Sequence, residues 1–452
     1  MLTILLLLLL AFGTPGIQHA KAQSYFLSIK GNDANDGSIQ HPWQSISKLN
    51  RLQLHAGDSV FLMGRDRFTG TISIDSADGG SQDYPVVLTS YGSGLAIINS
   101  VNDEAISVKN SRHIDIKNLV LLGSGRKSGN TKNGCSILWS AHINISGIEV
   151  SGFQKSGLLI YASQYIKAFG IRANNNGFAG ISVDGTYGSR LSNHIIISNS
   201  IAENNPGDPT NLGNHSGNGI LVGNCKNAIV EHCIATNNGW DMPRQGNGPV
   251  GIWCYEADSI IFRSCISYRN KTSPGAYDGG GFDFDGGTTN SVMEDCLSYE
   301  NMGSGFGIFQ YDGASQWRNN AVRRCISLND GNGIAFCGSI YIWNGARDLK
   351  QMNQMEFNQN IIINDTGWVV AYNVDNLHAG FQFFDNYFIS QRSLARGKDS
   401  SGTDNFFRNS FIKKNPGSSL HIPDKPEKIK DFYAAMIQRV SSDSLKMKDD
   451  HH

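Results

Sequence analysis

An all-β solenoid of about ten coils is the fold that the sequence predicts, on three observations. The first is a repeated phrase. Cys233, Cys265, Cys296 and Cys325 recur 29 to 32 residues apart, each flanked by apolar residues, as in Ile229-Val230-Glu231-His232-Cys233-Ile234 and Ile261-Phe262-Arg263-Ser264-Cys265-Ile266. Self-similarity at a period near thirty marks an array of stacked units. The second is alternation. Ile114/Ile116, Ile143/Ile145, Ile181/Val183 and Ile220/Val222 are spaced by two, the period of a strand and not of a helix. The third is punctuation. Gly, Asn, Asp and Ser interrupt these runs every few residues, and 51 glycines stand against 11 prolines. Gly and Asn suit corners because both tolerate the left-handed backbone.

With Cys relaxed to any small or polar residue, the repeat extends upstream through Ser200, Gly170, Gly147 and Asn118. Downstream it runs through Asn360 and Asn386. Successive coils stack about 4.8 Å apart, so the four cysteines form a column in which disulfides are geometrically awkward. Buried free thiols acting as small apolar groups are expected. No CxxC pair exists to suggest a zinc site.

The chain divides into residues 1–22, 23–100, 101–420 and 421–452. The first reads as a signal peptide, with an apolar run from Leu2 to Phe12 and Ala20-Lys21-Ala22 as a cleavage site. That run is half the length a membrane span needs. A secreted or periplasmic protein without a membrane span is expected, and a monomer. A formal net charge of −1 argues against a nucleic-acid partner. Residues 23–100 are an N-terminal cap with the first coils, and 101–420 are the repeats. Within 421–452, Lys425 to Val440 reads as a short amphipathic helix before a charged tail.

The cap segment carries a pattern of its own. A strand around Tyr25-Phe26-Leu27 leads to Asn32-Asp33 and Asp36-Gly37, then to Pro42-Trp43-Gln44-Ser45-Ile46 as a helix start. Gly57-Asp58-Ser59-Val60-Phe61-Leu62 follows as a second strand. This pattern resembles the entry segment of secreted right-handed parallel β-helix proteins of the pectin-lyase-like class. The resemblance implies a right-handed parallel β-helix over most of the mature chain. It also implies action on polysaccharides by hydrolysis or by β-elimination. It assigns no catalytic residue: Val183-Asp184-Gly185 only partly echoes the signature of polygalacturonase-type hydrolases.

A second strand phrase in each coil begins with Gly, as in Gly219-Ile220-Leu221-Val222-Gly223, Gly251-Ile252-Trp253-Cys254-Tyr255 and Gly281-Phe282-Asp283-Phe284-Asp285. The apolar residue after Gly and the one two later point inward. Two columns then face outward. One runs Leu159, Ser182, Leu221, Trp253, Asp283, Gly307, Ala335; the other runs Tyr161, Asp184, Gly223, Tyr255, Asp285, Phe309, Cys337. Asp283 and Asp285 are expected on the surface, their Cα atoms about 6.5–7 Å apart, beside exposed Trp253, Tyr255, Phe309 and Tyr311. Paired carboxyls among aromatic rings are what glycosidic cleavage requires, with Asp278 as a possible third acid. Solvated surface and calcium ligation by Asp283 and Asp285 are the alternatives. Three loops just before these columns supply further candidates: His215, Arg244 and Lys271. Asp184, three coils away, is a candidate substrate contact.

Three functional classes follow. One is a glycoside hydrolase using Asp283 and Asp285, with no cofactor. The second is a calcium-assisted polysaccharide lyase in which Lys271, His215, Arg244 or Tyr255 abstracts a proton. The third is a non-catalytic glycan-binding β-helix. The acidic and aromatic character of the columns favours the first, because a polyuronate lyase needs more Lys and Arg in its groove.

Overall fold

The computed structural model describes residues 22–346, 348–373, 377–397 and 402–413. The leader and the C-terminal helix expected from the sequence lie outside these. Each central coil contributes three short strands, for example Val250–Tyr255, Asp258–Arg263 and Ile266–Tyr268. Every strand pairs in parallel with its counterparts one coil before and after, as Asp258–Arg263 does with Cys225–Glu231 and Val292–Glu294. Two of the three faces join into a 25-stranded sheet, and the third is a 12-stranded sheet running from Ile72–Ile74 to Ala395–Arg396. The result is the parallel β-helix that the alternation predicts. Among the described residues no helix is long and apolar enough to cross a membrane.

The core is the inward half of the alternation. Ile220, Val222, Ile252, Cys254, Phe282, Phe284, Phe306, Ile308, Ile340 and Ile342 are all fully buried. Removing each large apolar side chain from water contributes about 1.5–3 kcal/mol, and Phe282 stacks on Phe306 across one coil step at 5.9 Å. The cap closes the first coil. Strand Ser24–Leu27 pairs with Ser59–Met63, and Trp43 stacks on Tyr25 at 5.1 Å. The helix start is the four-residue helix Ile46–Leu49, with Ser45 as its N-cap. Asp33 clamps that cap, accepting from Gln44 N, Ser45 N and Ser45 Oγ.

Cys233, Cys265, Cys296 and Cys325 stack in register, because Ile234, Ile266, Leu297 and Ile326 are successive partners. All eight cysteines are buried and free. Downstream the column becomes amide: Cys325 N donates to Asn360 Oδ1 and Asn360 N to Asn386 Oδ1, both at 2.9 Å. Upstream the expected register is one residue off. Ile201 pairs with Arg172, so Ser200 lies over Ile171 and not over Gly170. Gly170 belongs to the preceding column, which holds left-handed backbone in every coil: Asn118, Gly147, Gly170, Asn199, His232, Ser264, Asp295 and Arg324 have φ between 49° and 63°. Gly in that column imitates the small residue of the next.

A second column was not singled out from the sequence. Asn176, Asn205, Asn238, Asn270 and Asn301 are almost wholly buried. Each backbone N–H donates to the Oδ1 of the next, at 2.9 to 3.2 Å. Asp330 ends the ladder by accepting from Asn301 N at 2.9 Å, and burial raises its carboxyl to about 6. Loops leave the coils immediately after Asn238 and Asn270, so this ladder fixes where the walls of the site begin.

Candidate active site

The 12-stranded sheet forms the floor of a cleft of about 840 Å³. Its register places Trp253, Asp283, Gly307 and Tyr341 in one outward column. Phe309 and Trp343 are partners in the other. Ala335 and Cys337 do not continue these columns as expected. The chain turns through that segment, and the next strand is Gly338–Asn344, where Ile340 and Ile342 point inward and Tyr341 and Trp343 outward. Gly307 has a steric reason to be Gly: a Cβ there would lie 2.8 Å from the Phe309 ring and 3.1 Å from Asp283 Cγ.

The floor is deeper than the sequence implies. Asp283 and Trp253 face outward from the solenoid, yet each is only 3% exposed, and Phe309 8%. The alternation gives direction but not depth. Phe309 packs with Tyr341 and Trp343 of the next coil, and Trp253 with Leu221, Val250 and Tyr255, which takes the floor out of bulk water. His215, Trp253, Tyr255, Asp278, Asp283, Asp285, Phe309 and Tyr311 all line the one cleft.

Each of these side chains has a visible support. Trp253 Nε1 donates to Asn218 Oδ1 at 3.1 Å. The Asn218 amide donates to His215 Nδ1 at 3.0 Å. The His215 ring meets Trp253 edge-on at 4.8 Å. Burial pulls His215 down to about 4, so at neutral pH it is an uncharged brace for Trp253. Tyr255 Oη donates to Asp184 Oδ1 at 3.1 Å. Asp278 sits at φ 62° in its loop and accepts from Gly248 N at 2.7 Å.

The carboxyls are held out of their ordinary range. Burial, with the Asp285 and Asp278 charges nearby, raises Asp283 well above the usual carboxylate value. Burial raises Asp285 to about 7, opposed by the hydrogen bond from its neighbour Gly286 N. Asp278 rises to about 6, also by burial. Among the described residues Asp283 Oδ1 has no hydrogen-bond partner although it is buried. A buried polar atom without a partner costs about 1–3 kcal/mol, and such costs concentrate where a substrate supplies what is missing.

Three expected site residues lie elsewhere. Lys271 is exposed and outside the lining. Arg244 is bonded to Asn247 outside the lining, and its positive charge bears on Asp278 and His215. Asp184 Oδ1 is occupied by Gly185 N, Asn224 Nδ2 and Tyr255 Oη, which makes it a support for Tyr255. Sequence reasoning missed Tyr187, Tyr341, Trp343 and Arg396 in the lining. Tyr341 and Trp343 had a signal in the alternation of Gly338-Ser339-Ile340-Tyr341-Ile342-Trp343. Tyr187 and Arg396 had none, since they come from a loop and from a far coil.

Calcium takes six to eight oxygen ligands. Among the described residues no group of three or more His, Cys, Asp or Glu is placed to hold a metal ion, and aromatic rings flank Asp283 and Asp285.

A family model described as the Pel9A-like right-handed β-helix region matches residues 25–339. The chain belongs to that family. Among curated proteins none matches the sequence. Three solved structures share the fold at low identity. A GH136 lacto-N-biosidase from Eubacterium ramulus has a TM-score of 0.56 at 14% identity, over 86% of this chain and 68% of that one. The A-module of the mannuronan C-5 epimerase AlgE6 from Azotobacter vinelandii gives 0.57 at 13%, over 79% and 92%. A mannuronic acid specific polysaccharide family 6 lyase from human gut microbiota gives 0.50 at 11%, over 92% and 95%. At these identities the likeness is one of fold.

Proposed function

We propose that this β-helix family member is an exported enzyme that hydrolyses a glycosidic bond of an extracellular polysaccharide. The observation that carries the reading is Asp283. It is buried, has an oxygen without a partner, and stands beside Asp285 on the floor of a ring-lined cleft. Burial, with the Asp285 and Asp278 charges, raises the Asp283 carboxyl well above its ordinary value, and we assign it the proton. It donates that proton to the glycosidic oxygen as the anomeric C–O bond breaks. Asp285 ionises first and acts on the anomeric carbon, either by taking a proton from the attacking water or as the nucleophile itself. Trp253, Phe309 and Tyr341 supply ring faces and edges for sugar rings. No metal is needed, and EDTA is expected to leave activity unchanged.

β-Elimination is the second reading, favoured by Arg396, the one Lys or Arg among the described lining residues. It would neutralise a uronate carboxylate, with neutral His215 nearby. The fold neighbours include a polysaccharide lyase and a lacto-N-biosidase, and so favour neither. Incubation with a panel of polysaccharides separates the readings. New reducing ends without ultraviolet absorbance from a new double bond support hydrolysis; that absorbance sinks it. Binding without cleavage, unchanged in Asp283→Asn, points to a non-catalytic glycan binder.

A further inference from the structure

Glu256 lies against the turn that follows Asp285. It is fully buried, at φ 45°, directly after strand Val250–Tyr255. Its Oε1 accepts from Ser315 N at 2.8 Å and from Tyr187 Oη at 3.1 Å, and its Oε2 has no partner among the described residues. Tyr187 comes from a loop 69 residues earlier, and its hydroxyl also meets Tyr311 Oη at 3.3 Å. The same loop sends Arg190 to Gly287 O at 2.9 Å. All of this is packed onto Gly286 and Gly287. A Cβ on Gly286 would lie 2.3 Å from the Tyr311 ring, and one on Gly287 2.6 Å from the Glu256 carboxyl carbon. Two glycines therefore admit a ring and a carboxyl to the one turn whose N–H binds Asp285 Oδ1 at 2.7 Å.

We infer that Glu256 is a positioning residue for Asp285: it ties Tyr187 and Tyr311 into one cleft wall and sets the charge against which Asp285 ionises. The inference rests on the assignment of Asp285 to the reaction. The groups facing Asp285 or its turn are Asp283 on its own segment, Asp278 from the preceding loop, Glu256 and Tyr255 from the coil before, Tyr311 from the coil after, and Tyr187 and Arg190 from the loop after strand Ala179–Asp184. The Asp278 and Glu256 carboxylates both oppose loss of the Asp285 proton.

Glu256→Gln keeps the shape and removes the charge. The Asp285 carboxyl then ionises at lower pH, so the acid-side limb of the kcat/KM profile moves to lower pH while KM stays within twofold. An infrared difference titration against Asp285→Asn reads the same carboxyl without any substrate. Tyr187→Phe weakens substrate binding through KM and leaves the limb in place. An Asp285 carboxyl that titrates unchanged in a folded Glu256→Gln protein overturns the inference. Unaltered cleavage by Asp285→Asn would instead overturn the proposed function, so the two failures are told apart.

Discussion

Two grooves of nearly equal size lie on different faces of the helix, and they use aromatic rings in opposite ways. The cleft on the 12-stranded sheet measures about 840 Å³ and the groove on the larger sheet about 830 Å³. In the second groove His113, His142, Tyr165 and His194 stack one per coil, with centroids 4.6 to 4.8 Å apart and planes within 20°. Each ring face is covered by the next ring. In the cleft no two rings stack: His215 meets Trp253 at 79°, Phe309 meets Tyr341 at 74° and Tyr277 meets Phe336 at 73°, while Trp253–Tyr255 and Phe336–Tyr341 are tilted at 32° and 48°. Edge contacts leave faces open to a ligand. Volume does not separate a site from a surface; the buried carboxyls and the unpartnered oxygen of Asp283 do.

The sharpest way to break this contrast is to remove a carboxyl from the cleft. Asp283→Asn or Asp285→Asn is expected to lower kcat about 10²- to 10⁴-fold on any cleaved polysaccharide. Activity within twofold of wild type would return the cleft to the status of the other groove. Next in size is the pH profile. Asp285 must be ionised and Asp283 protonated, so the rate climbs as pH rises through about 7 and falls again where Asp283 loses its proton. A rate that declines steadily from pH 5 upward would overturn the raised ionisation of the pair.

The same carboxyls make a stability prediction. A group whose folded value is raised holds its proton more tightly in the folded state than in the unfolded one. Stability then falls as pH rises from about 4 to about 7. Asp285→Asn removes that residue's share of the dependence, so it should raise Tm at pH 8 and change it little at pH 4; thermal melts at both values check this. Trp253→Ala comes next, with KM up about 2- to 10-fold from lost ring contact. The smallest functional effect is expected in the other groove. His142→Ala loses two stacking contacts, about 0.5–1.5 kcal/mol each, and leaves kcat/KM unchanged; a fall in activity matching that of Trp253→Ala would mean that both grooves hold substrate.

Most of the fold was legible because the period is rigid. A coil cannot gain a residue between Cys265 and Ile266 without turning every later side chain over, so the four-cysteine column came out in register. The upstream slip at Gly170 shows the limit of that logic: two neighbouring corner columns both accept small residues, and only hydrogen-bond register separates them. The floor of the site was legible for the same reason, through Trp253, Tyr255, Asp283, Asp285 and Phe309. The walls were not. Tyr187 reaches Glu256 and Tyr311 from a loop whose path no alternation encodes, and Lys271 shares a loop with Asp278 without sharing its direction. Burial was misjudged as well, because alternation gives the direction of Asp283 and not what packs around it.

The column of thiols has a practical consequence. Cys233, Cys265, Cys296 and Cys325 lie one to a coil, buried, free and within the stretch that carries the cleft. All four are at most 1% exposed, so a folded coil gives an alkylating reagent no access to its thiol. Reaction at any one of them requires that coil to open. Followed by peptide mass against time, the four labelling rates form a coil-by-coil clock of local opening, and a substrate analogue seated on Asp283 should slow the hands nearest to it.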